Sequence, residues 1–158
     1  MPSPPVIFVL NGPNLNLMGS GDPRIHGAQT LDDIGSALKE RAKKLAVAVE
    51  LRQSNHEGQL VDWLQEAMAK ASAVILNAGG YAHSSIAIRD AAAALQVPVL
   101  EVRSSNIYGR EHFRRQSLLA QVARGSIVGL GLLGYTLALD AAAQLCKGAA
   151  AKTARQIQ

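Results

Sequence analysis

The chain has 158 residues, of which 48% are hydrophobic, 18% charged and 4% aromatic, enough for one packed core and too few for two ordinary domains. So few aromatic side chains leave little to stack on nucleic-acid bases. Sixteen Lys and Arg against twelve Asp and Glu give a formal charge of +4 spread without a basic run, a balance that favours small anions over DNA or RNA as ligands.

The opening Met1-Pro2-Ser3-Pro4-Pro5 shows no basic region followed by a long apolar stretch, and no apolar run reaches the roughly 18 residues of a membrane span. The lone Cys146 sits in an apolar stretch, which excludes a disulfide framework or a cysteine-based metal site and favours a buried, inert thiol. These features predict a cytoplasmic protein with no membrane contact.

Residues 6–10 are wholly apolar and end at Asn11-Gly12-Pro13-Asn14, the pattern of a parallel strand entering a loop. Residues 30–46 carry apolar side chains at helical spacing, with Thr30 and Asp33 placed to cap the first turn. Residues 47–53 alternate as a strand, and 58–70 return to helical spacing through Leu60, Trp63, Leu64 and Met68. Further strands are predicted at 73–76, 97–102 and 127–130, with an Ala-rich helix at 84–95 and a last helix from about 133 to 147. Five apolar strands alternating with helices predict a flavodoxin-like α/β three-layer sandwich, its parallel sheet ordered 2-1-3-4-5, with ligands beyond the C-terminal strand ends. Residues 1–147 would form a single domain and 148–158 a flexible tail.

Polar loops follow the first, third and fourth strands, so all three should meet at one edge of the sheet. In Asn77-Ala78-Gly79-Gly80-Tyr81-Ala82-His83-Ser84-Ser85, glycines that permit close backbone approach lead into a helix N-terminus suited to an anion. Alone, this could be a turn with Ser84 as an ordinary cap. Glu101-Val102-Arg103-Ser104-Ser105-Asn106, followed by Arg110 and Arg114, adds a carboxylate, hydroxyls and guanidinium groups suited to carboxylate or phosphate. A solvated surface helix could also carry those last arginines. No Gly-x-x-x-x-Gly-Lys run is present, no Gly-x-Gly-x-x-Gly follows the first strand, and His26, His56, His83 and His112 form no His-x-x-x-His pair, so neither a nucleotide cofactor nor a metal is expected.

Asn11 through Leu17, Gln53 through Gly58, Asn77 through Asp90, Glu101 through Ser117 and Gly125 through Leu139 together resemble the type II 3-dehydroquinate dehydratases, over nearly residues 6–145. The resemblance implies a flavodoxin-like subunit of a homododecamer, a tetramer of trimers, that needs no cofactor and removes water from 3-dehydroquinate through an enolate to give 3-dehydroshikimate. By position it implies that Asn14 holds the water stabilising the enolate, and that Asn77, His83, Ser105 and Arg114 contact the substrate, with Ser104 contributing its backbone. Asp90 matches a further substrate-site position, and Glu101 the carboxylate that orients site histidines. The small-molecule partner implied is a cyclic polyol carboxylate.

At the reactive positions the chain departs from the family. Where the pattern reads Arg-Glu-Pro-x-x-Tyr-Gly, the chain has Gly21-Asp22-Pro23-Arg24-Ile25-His26-Gly27, and where it reads Glu-x-His the chain has Glu101-Val102-Arg103. A tyrosine with a pKa of about 10 needs a neighbouring cation to act as a base near neutrality, whereas a histidine at about 6.5 does not, so His26 is a candidate replacement base. Arg103 stands where a general acid should be and cannot usefully give up a proton. The expectation is weak or absent dehydratase activity, with a non-catalytic binder as the alternative.

Overall fold

The computed structural model describes residues 3–20, 22, 24 and 28–157. Five strands, β1 (Val6–Asn11), β2 (Ala48–Gln53), β3 (Ala73–Asn77), β4 (Val99–Arg103) and β5 (Gly125–Val128), form one parallel sheet ordered β2-β1-β3-β4-β5. That order bears out the flavodoxin-like α/β fold. Among the described residues the α-helices of eight residues or more are α1 (Leu31–Leu45), α2 (Glu57–Lys70), α3 (Ile86–Ala93) and α4 (Leu132–Ile157).

Strand alternation divides the core in two. Ile7, Val9, Ile75 and Val102 pack with Ile34 and Leu38 of α1 and with Ala138 and Leu139 of α4. Phe8, Leu10, Val74 and Leu76 face the other way, toward Leu60 and Leu64 of α2 and Ile88 of α3. Each such side chain contributes about 1.5–3 kcal/mol by leaving water, which is why the central strands read as unbroken apolar runs.

Local chemistry sets the element ends. Thr30 accepts from the Asp33 amide while the Asp33 carboxylate accepts from the Thr30 amide, the capping box anticipated for α1. Four expectations need correction. The cap of α3 is Ser85, whose hydroxyl accepts from the Ile88 amide, because residues 79–83 form a 3-10 turn that Ser84 closes. β4 begins at Val99, after Pro98, which has no N–H to give the ladder. β5 spans Gly125–Val128 and stops short of Leu130, because Gly129 turns away at φ 88°. α4 runs past Lys147 to Ile157, through Ala, Lys, Arg and Gln, all good helix formers.

Parallel register brings Asn11 level with both Gln53 and Asn77 at the C-terminal edge. The buried Tyr135 hydroxyl of α4 donates to Asn11 Oδ1 at 2.7 Å and accepts from Asn77 Nδ2 at 2.7 Å. Asn11 Nδ2 continues the chain to the Arg52 carbonyl, and Asn77 Oδ1 accepts from the Gly79 amide. Burial raises the Tyr135 pKa to about 12, so the hydroxyl keeps its proton at any working pH.

Replacing Tyr135 with Phe leaves one buried acceptor and one buried donor without their partner. The expected cost is about 1–3 kcal/mol, read as a lower urea midpoint at unchanged slope; an unchanged midpoint would show that the bridge adds nothing to stability.

Candidate functional site

Beyond the ends of β1, β3 and β4 lies a cavity of about 290 Å³. Its floor and polar wall contain Asn14, Asn77, Arg103, Ser104, Ser105 and Arg114, six of the residues singled out in the sequence. Arg110 joins them, while Pro13, Leu15, Leu17 and Met18 supply an apolar side that the sequence reading did not assign. Gly21 and His26 lie outside the described residues.

The first wall is the turn after β1. Gly12 donates its amide to the Asn77 carbonyl at 2.8 Å, and a Cβ at residue 12 would sit 2.4 Å from the Ala78 carbonyl oxygen, so only glycine fits. Asn14 adopts a left-handed conformation at φ 67°, which asparagine tolerates. Its amide donates to Asn55 Oδ1 at 3.0 Å, Gln53 Nε2 donates to the same oxygen, and the Tyr81 hydroxyl donates to the Asn55 carbonyl. The Gln53-Ser54-Asn55 run thus fixes the turn that presents Asn14.

Arg103 ends β4 and is 6% exposed. Its Nη1 donates to the Gly79 carbonyl, and its Nη2 lies 3.3 Å from His83 Nε2. On the other side of the ring, His83 Nδ1 is 2.7 Å from the Gln116 carbonyl. A carbonyl only accepts, so Nδ1 carries the hydrogen and the Nε2 lone pair receives the guanidinium; His83 is neutral and already engaged. Burial pulls the His83 pKa below its ordinary value, the Gln116 carbonyl opposes this, and Arg103 and Arg114 add to the lowering. Burial likewise lowers the Arg103 pKa, with Glu101 acting against it.

Glu101 is 1% exposed and accepts from the hydroxyls of Ser117 and Ser126. The resemblance assigned it to orienting site histidines; its hydrogen bonds among the described residues go to these serines. His83 itself does not line the cavity; it reaches the site through Arg103. Asp90 lies on α3 with its side chain 64% exposed and paired to Arg89 at 3.1 Å, outside the cavity of its own chain.

Arg110 and Arg114 stand on two 3-10 turns, Ile107–Gly109 with its closing residue and His112–Arg114, and not on a surface helix. Glu111 lies 3.0 Å from Arg114 Nε and 3.7 Å from Arg110 Nε. The buried Arg114 Nε–H makes no hydrogen bond despite that short separation, so the contact is an ion pair only. A Gly-x-Gly-x-x-Gly run does open α4, at Gly129 to Gly134. Its Gly129 and Gly131 amides donate to the carbonyls of Arg103 and Ser104, so they brace the cavity wall and are not free to cradle a phosphate. Among the described residues, no group of three His, Cys, Asp or Glu could hold a metal ion, and no helix is long and apolar enough to cross a membrane.

Residues 5–143 match the family model for dehydroquinase class II. A 3-dehydroquinate dehydratase of Rhizobium meliloti is 52% identical over 138 residues, covering 87% of this chain and 93% of its own length. One from Idiomarina loihiensis is 54% identical, covering 86% and 90%. The crystal structure of a type II dehydroquinase from Butyrivibrio crossotus superposes with a TM-score of 0.87 at 40% identity, covering 89% of this chain and 99% of that one.

The neutral His83 has a consequence for stability. Because its folded pKa is depressed below 6.5, its contribution is complete above that pH and is lost as pH falls through the folded value. Thermal midpoints followed from pH 7.5 downward should therefore drop more steeply below 6.5 in the native chain than in His83→Gln. Parallel curves would show that His83 does not carry this loss.

Proposed function

The chain belongs to the class II dehydroquinase family, and on that premise we propose that its cavity takes 3-dehydroquinate or a closely related cyclic polyol carboxylate, as a hydro-lyase with weakened or lost turnover. The observation that carries the second half is Arg103: buried in the cavity wall, with a guanidinium at the position of the family's general acid.

The elimination has two demands. A base must take the proton beside the ketone and the resulting enolate must be stabilised; then the enolate expels hydroxide from the ring, which needs a proton to leave as water. In this reading His26 serves the first step in place of tyrosine, with Asn14 holding the water that stabilises the enolate. Arg103 meets the negative charge but has no proton to spare, so the second step goes unassisted. Missing general-acid help costs about a hundredfold to ten-thousandfold in rate. Asn77, Ser104, Ser105 and Arg114 would hold the ring and its carboxylate, with Glu101 and His83 keeping Arg103 in place and Asp90 completing a site in the assembled homododecamer. The same reading puts the protein in the cytoplasm, working without metal or organic cofactor.

A second reading, a binder without catalysis, draws on the same residue. Arg103 is already hydrogen-bonded to Gly79 and His83, a cation fixed in advance for an anion.

The two are separated by following the conjugated-enone absorbance of 3-dehydroshikimate alongside calorimetric titration with 3-dehydroquinate. Binding should be retained and turnover should lie at least about a hundredfold below that of the Rhizobium meliloti relative. The combined change Arg103→His, Gly21→Arg and His26→Tyr should raise it. Ordinary turnover by the native chain would overturn the claim of impairment, and binding with no turnover at all would favour the second reading.

A further inference from the structure

The cavity gathers more positive charge than one carboxylate answers. Arg103, Arg110 and Arg114 all line it, and among the described residues no Asp or Glu does. The carboxylates nearby are committed: Glu101 is buried in β4 between its two serine hydroxyls, and Glu111 stands between Arg110 and Arg114 with 53% of its side chain exposed.

Arg103 differs from the other two arginines. Both its hydrogen bonds go to neutral partners, the Gly79 carbonyl and the His83 ring, and among the described residues it forms no ion pair within 4.0 Å. A guanidinium has five N–H donors, so donors remain on the cavity side of a nearly dry cation. Burial is the largest cost to its charge; Glu101 and Tyr135 offset part of it, and Arg110 and Arg114 add repulsion. Ser104 and Ser105, also nearly buried, continue the same wall with two hydroxyls. An unpaired buried charge is among the costliest arrangements in a protein, and an oxyanion placed against it removes that cost.

We infer that the site prefers a ligand with two oxyanions, one on the Arg110–Arg114 side and a second seated on Arg103, and so binds a compact ring-based dianion more tightly than a monoanion such as 3-dehydroquinate. The inference rests on the reading of the cavity as a ring-carboxylate site and narrows its ligand class.

The test compares two ring acids that differ by one charge, cyclohexanecarboxylate and cis-cyclohexane-1,3-dicarboxylate, by calorimetry on the full chain at pH 7.5 and fixed ionic strength, with quinate as reference. The dicarboxylate should bind at least about tenfold more tightly, the scale of one added charge-assisted hydrogen bond. In Arg103→Gln that ratio should collapse toward one, and in Arg103→Lys, which keeps the charge but loses the fork, it should fall part of the way. Equal binding of the two acids by the native chain overturns the inference, as does a ratio that survives Arg103→Gln. Should the glutamine variant fail to fold, the native comparison and the lysine variant still decide. Quinate binding without a dianion preference removes this inference alone; failure of all three acids removes the ring-carboxylate reading with it.

Discussion

One phenolic hydroxyl holds the frame of the site. Tyr135 reaches from the last helix into the sheet and joins the terminal asparagines of its two central strands, accepting from one and donating to the other. Both asparagines are tied down at once, and each passes a second hydrogen bond outward, Asn11 to β2 and Asn77 to the turn at Gly79. The positions of Asn14, Gly79 and Arg103 relative to one another therefore descend from a neutral, fully buried network. Burial of the phenol keeps it neutral, which lets one oxygen serve as donor and acceptor together.

Arg103 exploits that frame. Its partner Gly79 is held by Asn77, and its partner His83 is held by the Gln116 carbonyl, so the guanidinium is gripped between two groups that are themselves anchored. A histidine at residue 103 would present a titratable proton; an arginine presents a permanent charge and a planar fork. A histidine would make the position fit for proton transfer, whereas the arginine makes it fit for holding an anion.

The sheet was legible because its signals are local: apolar runs of strand length, the Thr30–Asp33 capping pair, and glycine and asparagine at the strand ends. Six cavity residues were legible because parallel topology sends the ends of β1, β3 and β4 to one edge. Tyr135 was not, since its partners lie 124 and 58 residues away in the chain and a tyrosine in an apolar helix reads as core. Arg110 was ambiguous for a different reason. A run such as Arg-Glu-His-Phe-Arg-Arg has the composition of an exposed helix, and only its folding into 3-10 turns aims the guanidinium inward. Asp90 differs again: the resemblance assigns it to a site, and within its own chain it lies outside the cavity and pairs with Arg89.

Gly12 draws these observations toward mutational tolerance. One methyl group there would strike the Ala78 carbonyl, so drift at that position is closed by sterics alone. The molecule thus joins positions closed by sterics to many others that tolerate exchange, since the fold persists in a structure that shares only 40% of its residues. A protein built this way can lose a reaction, or acquire a new ligand, in a few substitutions and without crossing an unfolded state.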